Sequence, residues 1–187
     1  MARLGLPFLV RPSGVPEDNV MGSPLQVARI LAQRKALSTP ADSQDLVLGA
    51  DTVLDVAGEI VGKLANPQDA CEILAALAGR SHTVITGLAL CCQGVCAVAS
   101  VETRVSMRAY SALEISTYVE SGEPLDKAGA YAIQGLGAAL VGSISGCYLN
   151  VVGLPLCELS RLLRERGVSI KSPICGDNAN RPCPREV

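Results

Sequence analysis

The sequence predicts one α/β domain, and three observations carry that reading. Its 187 residues are 49% hydrophobic, enough length and apolar content for a substantial core. An aliphatic run, Leu46-Val47-Leu48, closes abruptly on Gly49-Ala50-Asp51-Thr52, the pattern of a buried strand with polar groups at its carboxyl end. Helical segments with clear start signals alternate with such β-prone runs. No internal repeat or second domain is visible.

Taken in order, Ser23-Pro24-Leu25-Gln26 combines an N-cap serine, a proline at the first helical position and a capping-box glutamine. The helix it opens is predicted to reach about Leu37, with Ala28, Leu31, Ala32 and Lys35 on one face. A lysine on that stripe has two readings, snorkelling at the helix end or a cation pointed into a cleft. The Asp51 strand follows, then a turn at Ala57-Gly58 and a short returning strand over residues 59–63. Asn66-Pro67-Gln68-Asp69 starts a second helix, with Ala70, Ile73, Leu74 and Leu77 inward and Gly79 as its stop.

Residues 84–101 hold no charge, yet Gln93-Gly94 is a turn signal between two β-prone runs. A buried hairpin over 82–90 and 95–105 is predicted, not a membrane span. Ser111-Ala112-Leu113-Glu114 is another capping box, opening a helix that carries Ile115, Tyr118 and Val119. Six glycines then punctuate residues 129–153. Pro155 opens a last helix that buries Leu156, Leu159, Leu162 and Leu163 and ends at Gly167. Residues 171–187 are polar and turn-rich, and are read as a flexible tail after a domain over 1–170.

Composition narrows the function. A net charge of −2 with no Trp and one Phe argues against a nucleic-acid polymer as partner. The N-terminal residues lack the apolar core of a secretory signal, so a cytoplasmic setting is expected. The eight cysteines, Cys71, Cys91, Cys92, Cys96, Cys147, Cys157, Cys175 and Cys183, form no CxxC pair. The single histidine, His82, cannot complete a His-rich metal site, so the cysteines read as small apolar thiols. Cys175 and Cys183, in the polar tail, are the pair open to oxidation.

Two segments remain for chemistry. Gly49-Ala50-Asp51-Thr52 is followed after a turn by Gly62-Lys63, and residues 121–135 pack Glu123, Asp126, Lys127, Tyr131 and Gln134 into a glycine-punctuated loop. Together they offer carboxylates for a divalent cation and lysines for phosphate. The common nucleotide cradles, GxxxxGK[ST] and GxGxxG, are absent.

At these residues the chain resembles a known family. Gly49-Ala50-Asp51-Thr52, Gly62-Lys63, Leu77-Ala78-Gly79-Arg80-Ser81-His82-Thr83-Val84, Thr86-Gly87, the run from Gly122 to Tyr131 and Asn150-Val151-Val152-Gly153-Leu154-Pro155 are similar to Maf proteins, which are nucleoside triphosphate pyrophosphatases. The resemblance covers about residues 4–167. It implies a twisted mixed sheet with flanking helices, a cleft between two lobes, and a homodimer. The implied reaction cleaves a nucleoside triphosphate between the α- and β-phosphates with Mg²⁺ or Mn²⁺. In it, Asp51 is the proton acceptor that activates water and touches the metal.

By the same resemblance Lys35 and Lys63 face the phosphates, which moves Lys35 to the cleft reading, and Glu17 matches the family's acidic residue. Thr52 and Gln134 match the dTTP/UTP subgroup, and a glutamine amide can both donate to and accept from a pyrimidine edge. Leu64 stands where the family has proline. The family's Ser-x-Ser-Pro-Arg-Arg motif has no counterpart, since Met1-Ala2-Arg3-Leu4-Gly5-Leu6-Pro7 corresponds to the end of the helix after it. The chain as written is therefore expected to turn over weakly, with a nucleotide-binding regulatory relative as the alternative.

Overall fold

The structure is a computed structural model that describes residues 2–62, 64 and 66–170. Lys63 and the tail read at 171–187 lie outside the described residues. After a short 3₁₀ turn at Ala2–Leu4, the elements follow as α1 (Pro24–Ser38), β1 (Val47–Val56), β2 (Glu59–Ile60), α2 (Pro67–Leu77), β3 (Ser81–Cys92) and β4 (Val95–Met107). Then come α3 (Ala112–Glu120), β5 (Val141–Ser145), α4 (Tyr148–Val151) and α5 (Leu156–Glu165).

The predicted start signals are realised as hydrogen bonds. The Ser23 N–H donates to Gln26 Oε1 at 2.8 Å and the Gln26 N–H to Ser23 Oγ at 3.4 Å, which closes the capping box of α1. Ser111 and Glu114 close the same box on α3. Asn66 Oδ1 accepts from the Asp69 N–H at 3.0 Å at the head of α2.

Five strands form one sheet in the order β2-β1-β3-β4-β5. The resemblance implies a mixed sheet, whereas every strand pairing among the described residues is antiparallel. The β3–β4 hairpin sets the frame. Gln93 (φ 49°) and Gly94 (φ 79°) both take left-handed conformations, which a two-residue turn matched to strand twist requires. That turn pairs Cys92 with Val95 and brings Cys91 opposite Cys96. Those two cysteines are disulfide-bonded, which corrects the reading of them as thiols: register, not sequence spacing, brings them together. Cys71, Cys92, Cys147 and Cys157 form no disulfide among the described residues, and Cys175 and Cys183 lie outside them.

Alternation along β1 and β3 gives the sheet two different faces. One face presents Gly49, Asp51 and Val53 with Gly87 and Ala89, and α1 lies on it. A Cβ at Gly49 would sit 2.1 Å from the Ala32 carbonyl oxygen, and one at Gly87 2.2 Å from that of Ala28. Only glycine admits a helix backbone so close to strand backbone, and the buried Ala28, Ala32 and Ala36 line the contact. The opposite face presents Leu88 and Leu90, packed with Leu149, Leu156, Leu159, Leu162 and Leu163, and nearby Leu54 and Val84, packed with α2 and α3.

Beyond Leu54, β1 pairs with β2 only through Asp55 and Val56. Among the described residues the rest of that edge has no strand partner. Asp51 therefore does not sit at a strand's carboxyl end, as its sequence context suggests. The strand runs five residues further, to Val56, and Asp51 lies in its middle.

Candidate functional site

The close seating of α1 carries a polar side chain onto the sheet. Lys35 lies about two turns beyond Ala28 on the same helix, and its Nζ donates to Asp51 Oδ1 at 2.6 Å. The same ammonium lies 2.6 Å from Glu17 Oε1, which reaches in from the irregular segment before α1. Asp51 is 8% exposed, while Lys35 and Glu17 remain about a quarter exposed. Burial disfavours the Lys35 charge, but hydrogen bonds and attraction from Asp51 and Glu17 outweigh it, so its pKa is raised. Lys35 is a cation held between two carboxylates, not a snorkelling side chain.

On the other face of β1, next to Asp51 along the chain, Thr52 lines a cavity of about 240 Å³. This lies just below the roughly 300–1,000 Å³ of ordinary small-molecule sites, a size for one small ring system. Tyr131, Gln134, Lys127, Val84 and Gly153 also line it. The Tyr131 hydroxyl lies 2.8 Å from His82 Nε2. Burial pushes His82 down to about 4, so the ring is neutral at pH 7. His82 thus anchors the cavity wall, in keeping with a structural role.

Gln134 is exposed on a loop that the fold clasps. Glu123 accepts from the Leu136 N–H at 2.8 Å, the Gly137 N–H at 3.0 Å and the Tyr118 hydroxyl at 2.9 Å. Burial works against the Glu123 charge, yet these hydrogen bonds hold its pKa below the usual carboxylate range. A Cβ at Gly135 would fall 2.3 Å from Glu123 Oε2, so the clasp needs glycine there.

Of the six residues singled out in the sequence, Glu17, Lys35 and Asp51 converge on one face of β1. Thr52 and Gln134 meet in the cavity on the other, and Lys63 lies outside the described residues. Sequence reasoning reached Thr86 only within the Thr86-Gly87 motif and gave it no role; its hydroxyl lies 2.9 Å from that of Thr52. The available signal was a lone hydroxyl inside the apolar run Val84-Ile85-Thr86-Gly87-Leu88. It also assigned no role to the Glu123 clasp, which depends on a contact across thirteen residues of loop.

A divalent cation fits the donor set. Asp51 and Glu17 are hard oxygen ligands that already share a cation, the Lys35 ammonium. No group of three or more His, Cys, Asp or Glu gathers among the described residues. Two carboxylates suit an ion such as Mg²⁺, which keeps several waters and takes further oxygens from phosphates. No helix among the described residues is long and apolar enough to cross a membrane.

Comparison with known proteins gives a consistent pattern. The family described as Maf-like protein matches residues 1–166. The dTTP/UTP pyrophosphatase of Moorella thermoacetica is 46% identical over 175 residues, covering 91% of this chain and 90% of that protein. The dTTP/UTP pyrophosphatase of Gloeobacter violaceus is 46% identical over 169 residues, 88% of each chain. That of Aquifex aeolicus is 42% identical over 166 residues, covering 88% of this chain and 87% of its own.

Proposed function

This chain belongs to the Maf-like protein family, and on that premise we propose that it hydrolyses dTTP and UTP to the monophosphate and pyrophosphate. The single observation that carries the site assignment is the division of polar groups across β1. A Glu17–Lys35–Asp51 cluster faces α1, a ring-sized cavity bearing Thr52 and Gln134 faces the other way, and the strand edge between them has no strand partner among the described residues. One ligand can reach both, with its base in the cavity and its phosphates across the edge.

In this reading Asp51 Oδ2 accepts the proton of the attacking water while Oδ1 holds Lys35. The water oxygen bonds to phosphorus, the bond between that phosphorus and the α–β bridging oxygen breaks, and pyrophosphate leaves with the electron pair. Lys35 has three ammonium protons, two of them committed to Asp51 and Glu17. The third is available to a phosphate oxygen, where negative charge builds. Lys63 adds a second cation on this reading. Thr52 and Gln134 hold the base. Asp51, with Glu17, would hold Mg²⁺ or Mn²⁺, which when bound polarises phosphoryl oxygens and acidifies water.

A homodimer in the cytoplasm belongs to the same proposal, supported by the family resemblance; sedimentation at micromolar concentration tests the dimer. The reaction is tested by product analysis. Full-length chain with UTP or dTTP and Mn²⁺ is expected to yield monophosphate and pyrophosphate in equal amounts. Diphosphate and inorganic phosphate as products would overturn the assignment.

A further inference from the structure

We propose that Thr86 is a positioning residue that sets the choice between pyrimidine bases, by committing the only hydroxyl proton of Thr52. The inference rests on the reading above, in which Thr52 faces the base.

Thr86 is fully buried on β3, directly opposite Thr52 on β1. Its Oγ1 lies 3.1 Å from the Asn150 carbonyl oxygen and 2.9 Å from Thr52 Oγ1. A carbonyl can only accept, so the single Thr86 proton points to Asn150. Between the two hydroxyls, Thr52 must then be the donor. Its proton is turned away from the cavity, and only lone pairs of Thr52 Oγ1 remain for a ligand there.

The far end of this relay is rigid. The Asn150 carbonyl also accepts from the Gly153 N–H at 2.9 Å. The fully buried Asn150 side chain donates to the Val84 carbonyl at 2.9 Å and to Thr103 Oγ1 at 3.0 Å. The carbonyl therefore cannot turn away and release the Thr86 proton.

An acceptor facing the base selects by chemistry. Uracil and thymine carry an N3–H donor, whereas neutral cytosine presents a bare N3 lone pair at the same position. Thr52 as set by Thr86 accepts from the first and opposes the second. Gln134, able to donate and accept, can serve a neighbouring exocyclic group of either ring.

The test compares kcat/KM for UTP and CTP in the wild-type chain, Thr86→Val and Thr86→Ser. Valine removes the acceptor, so the Thr52 proton is free to turn into the cavity; serine keeps the relay. The wild type is expected to prefer UTP, Thr86→Val to lose about tenfold or more of the UTP/CTP ratio, and Thr86→Ser to keep it. An unchanged ratio in Thr86→Val, an equal loss in both variants, or a wild type indifferent to the base would each overturn the inference. If Thr86→Val fails to fold, 3-methyl-UTP decides in the wild type. It lacks the N3 proton, and cleavage as fast as UTP would refute the assignment, while a tenfold or greater loss upholds it. A wild type that releases no pyrophosphate from UTP or dTTP sinks the proposed function itself; one that does so without discriminating against CTP sinks only this inference.

Discussion

Replacing Gly87 by alanine tests whether α1 organises the site by lying against bare strand backbone. The added Cβ would sit 2.2 Å from the Ala28 carbonyl oxygen, 2.4 Å from its carbon and 2.8 Å from the Arg29 nitrogen. All three are backbone atoms, so no side chain can swing aside. The helix must withdraw by about 1 Å to reach ordinary contact, at an overpacking cost of roughly 1–3 kcal/mol. For a chain of this size each kcal/mol lowers the melting temperature by roughly 2–4 °C. A fall of several degrees is therefore expected in a thermal scan.

The same movement carries Lys35 away from Asp51, where the 2.6 Å hydrogen bond has little slack. Displacements of ~1 Å in a positioned group cost roughly 10²-fold in rate. Pyrophosphate release by Gly87→Ala, assayed well below its melting temperature, should thus fall by one to two orders of magnitude. If Gly87→Ala keeps both the melting temperature and the turnover of the wild type, the reasoning from helix seating to site geometry is refuted.

Other perturbations test separate parts of the structure. His82 is depressed from 6.5 to about 4 by burial, so the unfolded chain binds the proton more readily. Stability from this group is complete above pH 6.5 and declines as pH falls toward 4, by up to about 3 kcal/mol. Urea unfolding of His82→Phe should show a flatter pH dependence in that window than the wild type, and an unchanged slope would contradict it. Glu114, lowered from 4.5 to about 2 by hydrogen bonds from Ser111 and Arg108, contributes mainly below this window, its share declining as pH falls from about 4.5. Glu123→Ala should raise KM for UTP about tenfold with a smaller change in kcat, because Gln134 loses its clasp. A kcat defect with KM unchanged would place Glu123 elsewhere in the reaction.

Much of this architecture was legible in the sequence because it is written in short-range signals. Ser23 with Gln26, Ser111 with Glu114, and Gln93-Gly94 are each local devices whose effect is spent within four residues, and each appears as expected. Leu156, Leu159, Leu162 and Leu163 are buried as the spacing of α5 implies. The features that escaped are those set by register. Nothing in sequence spacing puts Cys91 opposite Cys96 or Thr52 opposite Thr86; a hairpin turn and a nine-pair ladder do.

Lys35 shows the same limit from the other side. Helical periodicity could only place it on the buried stripe of α1. Its meaning comes from two glycines on different strands that let the helix descend far enough to meet Asp51. Asp51 lies mid-strand rather than at a strand end for a related reason. Its polar neighbour Thr52 resembles the end of an apolar run, but the run resumes at Val53 and Leu54, because Asp51 and Thr52 are one polar residue on each face of a strand that continues to Val56.

The most direct test of the central claim compares the wild-type chain with Asp51→Asn on UTP and dTTP in the presence of Mn²⁺. Asparagine keeps the shape and can still accept from Lys35, but it cannot take a proton from water. The expected result is monophosphate and pyrophosphate from the wild type, with at least a hundredfold loss in Asp51→Asn and a far-ultraviolet circular dichroism spectrum unchanged from the wild type. Turnover by Asp51→Asn within a few fold of the wild type would remove Asp51 from the chemistry and with it the β1-edge site.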